Sequence, residues 1–147
     1  MLIEKDKSAL LIIDVQEKLV SAMPKPHKFI DNIIKLQKAA NILQVPITLT
    51  EQYPKGLGRT IDKIRENTKN AAVEKTDFSI AIDSTKIVNN MIICGIEAHV
   101  CVLQTAINLA EDKKVYVVQD AISSRYEKDY LTALSRMDKH PNIQIVT

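Results

Sequence analysis

Cysteine, histidine and long apolar runs are scarce in this chain, and each scarcity removes a class of function. Two cysteines in 147 residues, seven positions apart, make neither a disulfide framework nor a C-x-x-C redox pair, so the expected compartment is a reducing cytoplasm. The three histidines, His27, His99 and His140, are scattered without ligand spacing, so no metal and no other cofactor is expected. The first apolar run spans only residues 9–13 and follows a charged start, far short of a secretion signal or a membrane span. A formal charge of +2 with dispersed lysines gives no electrostatic footprint for nucleic acid.

What remains is a chain of average apolar and charged content, sized for one domain over residues 1–147. Short runs rich in β-branched residues alternate with stretches of helical period, the sequence form of stacked βαβ units around a parallel sheet. Strands are predicted at 9–15, 47–51, 71–74, 91–94, 115–118 and 143–146. Helices are predicted at 28–43, 98–111 and 128–139, with a short one near 61–66. In the first, Phe29, Ile30, Ile33, Ile34, Leu36, Ala40 and Leu43 recur at three- and four-residue spacing. Residues 52–69, with Pro54, Gly56 and Gly58, are the least regular part, either a solvated loop or one that carries binding groups.

Parallel sheets bind ligands beyond the carboxyl ends of their strands, near the point where strand order reverses. Asp14, Lys75 and Cys101 all fall at such ends. Cys101 sits in the first turns of a helix that follows an apolar strand and Gly95. Unpaired N–H groups and the helix dipole there would lower a thiol pKa and favour a thiolate nucleophile. Equally, a cysteine in such a place can be a small buried hydrophobe, which is the reading for mid-strand Cys94. Asp14 closes an apolar run, so if buried it needs a hydrogen-bonded or charged partner, structural or catalytic.

Four segments then carry a resemblance: Ala9-Leu10-Leu11-Ile12-Ile13-Asp14-Val15-Gln16, Glu74-Lys75-Thr76-Asp77-Phe78-Ser79, Gly95-Ile96-Glu97-Ala98-His99-Val100-Cys101-Val102 and Asp120-Ala121-Ile122-Ser123-Ser124-Arg125. In this order they resemble the isochorismatase-like cysteine hydrolases. The resemblance implies a three-layer αβα, doubly wound, Rossmann-like fold with six parallel strands in the order 3-2-1-4-5-6. It implies a triad of Asp14 as base, Lys75 as cationic partner and Cys101 as nucleophile, and a cis peptide joining Ile96 to Glu97. The N–H groups of Glu97 and Cys101 would then hold the oxyanion as the thiolate attacks a small amide or ureide.

Departures from the family pattern narrow this. The region Thr50-Glu51-Gln52-Tyr53-Pro54-Lys55 lacks the histidines with which nicotinamidases of the superfamily hold a metal, and Cys101 argues against isochorismate cleavage, whose enzymes lack the cysteine. The chain most resembles the short, metal-free members. Gln52, Tyr53, Leu57, Phe78 and His99 flank the triad positions as candidates for the substrate pocket. Phe78 could instead be core and His99 a cap or packing residue on its helix. Arg125 could bind an anionic substrate group or brace its loop through a carboxylate. Family members commonly continue with a helix after the last strand, whereas this sequence ends at Thr147. An apolar face left open there would be covered by another subunit, so a homo-oligomer is expected. An oligomeric interaction protein with little turnover is the alternative, and redox sensing by Cys101 a third reading.

Overall fold

A computed structural model describes residues 2–80 and 88–147. Strands β1 (Ser8–Ile13), β2 (Ile47–Gln52), β3 (Val73–Lys75), β4 (Asn90–Ile96), β5 (Lys114–Ser123) and β6 (Ile143–Val146) form one sheet. Their order is β3-β2-β1-β4-β5-β6 and every pair is parallel. Strand order therefore reverses between β1 and β4.

Alternation along the strands builds a core on each face. Leu10 and Ile12 of β1 join Cys94 and Ile96 of β4 beneath α2 (Pro26–Leu43), which contributes Phe29, Ile30, Ile33 and Ala40. Leu11 and Ile13 join Met91 and Ile93 on the other face, beneath α5 (Leu103–Leu109) and α6 (Glu127–Met137). That period of two in a strand buried on both sides explains the unbroken apolar run of β1. The α2 helix ends where Gln44 turns left-handed at φ 59, two residues before Pro46, and Leu43 is left 49% exposed rather than packed.

Several boundaries differ from the sequence expectation, the first being β1, which stops at Ile13 rather than at 15 because the backbone turns left-handed at Asp14. Strand β5 runs on to Ser123 instead of stopping at Val118, because beyond a register shift between Ile93 and Gly95 it resumes pairing with β4 at Ile122 and Ser123. The third strand lies later, at Val73–Lys75. The helix expected from 98 begins as a π-helical turn, Ala98–Val102, and becomes α-helical only at Leu103. Gly95 permits the close approach of β4 to β1: its φ is +120, and a Cβ there would lie 2.1 Å from the carbonyl oxygen of Ile13. One short helical turn, α1 (Glu17–Val20), precedes α2, and between β2 and β3 the chain makes two more, α3 (Pro54–Leu57) and α4 (Asp62–Arg65).

Candidate active site

Three strand ends supply the polar centre. Past β1 the chain turns sharply at Asp14, whose φ of 50 is a left-handed conformation that Asp tolerates better than most residues. The Asp14 side chain is fully buried, and both carboxylate oxygens are used. The Thr50 hydroxyl donates to Oδ1 at 2.6 Å and Lys75 Nζ donates to Oδ2 at 2.7 Å. Lys75, at the end of β3, has a side chain only 6% exposed. Among the described residues its other acceptors are Gln52 Oε1 at 2.6 Å and the carbonyls of Asp77 and Phe78 at 3.3 and 3.2 Å. A buried ion pair with its hydrogen bonds filled on both sides meets the conditions under which burial of charge is tolerated.

The Cys101 thiol, in the π-helical turn after β4, interacts with both members of this pair, and it is buried among the apolar residues under α5 and α6. Here the structure overturns the expectation of a lowered thiol pKa. Burial, first, and then the charge and hydrogen bonding of Asp14 push it up to about 12, against the opposing influence of Lys75. The helix-start argument fails because it sees neither the apolar packing nor the carboxylate. At rest Cys101 is thus a neutral thiol, not a thiolate. Cys94 lies on the opposite face of the sheet beneath α2, fully buried, its thiol pushed up by desolvation, and both cysteines are free.

Around the turn, the Ile96–Glu97 peptide is cis. Ile96 is fully buried and Glu97 is 8% exposed. The Glu97 carboxylate accepts from Arg125 Nε at 2.9 Å and from the Arg125 backbone N–H at 3.2 Å, so Arg125 braces the loop through a carboxylate. His99 is hydrogen-bonded through Nδ1 to Ser124 Oγ at 2.9 Å.

Of the expected pocket residues, Gln52 is buried and turned to Lys75, with its amide nitrogen donating to the Thr76 carbonyl at 2.7 Å. Tyr53 and Phe78 are 56% and 51% exposed, so Phe78 is not core. Leu57 is half-buried. A cavity of about 460 Å³ opens beside Lys75, walled by Tyr53, Pro54, Asp77 and Ile80. A second, of about 620 Å³, lies between the start of α2 and the end of β5 and includes none of Asp14, Lys75 or Cys101.

Sequence reasoning missed Thr50 and Gln16. Thr48, Thr50 and Gln52 fall at alternate positions of β2, opposite the face that carries Ile47 and Leu49, which is a legible signal that one strand face meets a polar site. Gln16 is wholly buried and clamps the next strand end: its Oε1 accepts from the Gln52 N–H at 2.7 Å, and its Nε2 donates to the carbonyls of Gln52 at 3.0 Å and Gly58 at 2.7 Å. Among the described residues no three His, Cys, Asp or Glu side chains converge as a metal site would require, and no helix is long and apolar enough to cross a membrane.

Residues 8–147 match the model of the Isochorismatase domain. Isochorismatase domain-containing protein 2 of Danio rerio is 40% identical over 139 residues, covering 88% of this chain and 70% of that protein. A solved structure described as MAR1 ribonuclease from Caenorhabditis elegans superposes with a TM-score of 0.91 at 41% identity, over 98% of this chain and 79% of its own. Another, the Escherichia coli YcaC product, described as an octameric hydrolase of unknown specificity, gives a TM-score of 0.89 at 25% identity over 99% and 77% of the two chains.

Proposed function

Since the chain belongs to the isochorismatase family and has its hydrolase fold, we propose that it is a cysteine hydrolase that cleaves a C–N bond of a small amide or ureide. The observation that supports this most is the buried Asp14–Lys75 ion pair at 2.7 Å acting on the Cys101 thiol from beyond the strand ends.

Asp14 takes the thiol proton as sulfur attacks the carbonyl carbon, so that charge moves from the carboxylate onto the developing tetrahedral oxygen. Lys75 holds the carboxylate in place and stabilises negative charge on sulfur. The N–H groups of Glu97 and Cys101 are the oxyanion donors; loss of one such donor typically costs on the order of 3 kcal/mol in the transition state. The C–N bond breaks, the amine leaves with the proton from Asp14, and a thioester remains on Cys101. Water then gives a proton to Asp14 and its oxygen to the acyl carbon, which releases the acid and restores the thiol. A thiol at about 12 makes this general-base step necessary, because almost no free thiolate exists near neutral pH.

We also assign a homo-oligomeric assembly, supported by the octameric neighbour. The second reading, an interaction protein with little turnover, draws its support from the same raised thiol. A panel of small amides and ureides, assayed for amine release, separates the two. Release by the wild type and loss of at least a thousandfold in Cys101→Ala supports the hydrolase; release by neither supports the second reading. Because one neighbour is described as a ribonuclease, RNA belongs in the same panel, and cleavage that survives Cys101→Ala would overturn the thioester route.

A further inference from the structure

We propose that Gln52 is a positioning residue, which holds the Lys75 ammonium against Asp14 and Cys101 rather than contacting substrate. This rests on the reading of those three residues as a triad.

An ammonium has three protons to place. One goes to Asp14 Oδ2 at 2.7 Å, one to Gln52 Oε1 at 2.6 Å, and the third is shared by the carbonyls of Asp77 and Phe78 at 3.3 and 3.2 Å. Gln52 Oε1 is thus the nearest of the four oxygens and the only neutral side chain among them. The Gln52 amide cannot turn over without loss, because its nitrogen donates to the Thr76 carbonyl at 2.7 Å and a flipped amide would aim N–H at an ammonium. Its backbone is fixed as well. Gln16 bonds both the N–H and the carbonyl of Gln52, and the residue stands opposite Lys75 in the β2–β3 register.

Gln52 is only 9% exposed, and both polar atoms of its side chain already have a protein partner, Oε1 with Lys75 and Nε2 with the Thr76 carbonyl, which commits the amide to the protein. Without Oε1, the strongest remaining pull on Nζ besides Asp14 comes from the 77 and 78 carbonyls. The ammonium then moves with them, and its stabilising field at Cys101 weakens. The side chain acts through Lys75 and through nothing else in the site.

The test is a double-mutant cycle on the full chain, read by the pH dependence of iodoacetamide alkylation at Cys101, which requires no turnover. Gln52→Leu is expected to move the profile to higher pH by about one unit, roughly a tenfold slower reaction at fixed pH. In a Lys75→Met background, Gln52→Leu is expected to add nothing. Should Gln52→Leu fail to fold, Gln52→Asn, one methylene too short to reach Nζ, replaces it in the cycle. Equal shifts with and without Lys75, or no shift in either, would overturn the proposal. With any amide that is turned over, kcat should fall and KM stay unchanged; a raised KM with an unmoved alkylation profile would make Gln52 a substrate contact and also overturn it. Coupling to Lys75 in a protein that hydrolyses no amide supports the positioning role while removing the hydrolase reading.

Discussion

Replacing Asp14 by Asn is expected to lower the Cys101 thiol pKa while abolishing hydrolysis, a separation that follows from the two roles of one carboxylate. As a charge, Asp14 opposes ionisation of the neighbouring thiol; as a base, it makes the attack possible. Two unit charges about 4 Å apart at an effective dielectric near 20 repel by about 4 kcal/mol, or about 3 pKa units. Lys75 remains in the variant and water screens part of the interaction, so a fall of about one to three units from about 12 is the expected size. Asn also tolerates the left-handed backbone at φ 50, so the turn survives the change. Lys75→Met removes the one influence that lowers the pKa and should move it further up. The assay is the rate of iodoacetamide alkylation against pH, localised by peptide mass, with fully buried Cys94 as the internal unreactive reference. A wild-type thiol titrating below the free value of roughly 8.5 would refute the reasoning, as would an Asp14→Asn variant titrating above the wild type.

Other outcomes are open to measurement. Thr50→Val removes the 2.6 Å bond to Asp14 Oδ1 inside the protein and should cost about 1–3 kcal/mol in chemical denaturation. Gly95→Ala combines a positive φ with a Cβ 2.1 Å from the Ile13 carbonyl, so a loss of about 3 kcal/mol or more is expected; a variant as stable as the wild type would show that β4 does not approach β1 this closely. A thiol whose pKa is raised on folding favours the native state below its unfolded value near 9 and loses that contribution as pH climbs towards 12. Stability should therefore fall less steeply over that interval in Cys101→Ser than in the wild type, in denaturation curves taken at successive pH values.

The fold was legible because most of its strands contain a short apolar run rich in β-branched residues and its longest helix has an unmistakable period in Phe29, Ile30, Ile33 and Ala40. Asp14 and Cys101 were legible as chemically active residue types at strand ends. What sequence could not supply was register. The pairing that sets Gln52 opposite Lys75 brings its Oε1 to 2.6 Å from Nζ, and the bond from Thr50 to Asp14 depends on β1 and β2 lying side by side. Nor could local sequence reveal that Cys101 joins an apolar cluster built from α5, α6 and four of the strands, and that burial is what sends its thiol upward instead of down. Strand β5 outran its apolar stretch because pairing with β4, not composition, sets where it stops.

The central claim is that Cys101 forms a thioester with the acyl group of an amide or ureide. Rapidly quenched intact-mass measurement during incubation with the amide panel tests it most directly. The account expects a transient adduct of the acyl mass on the peptide containing Cys101, absent in Asp14→Asn and Cys101→Ala. Amine release at the wild-type rate from Cys101→Ala, with no adduct on the wild type at any quench time, would contradict it.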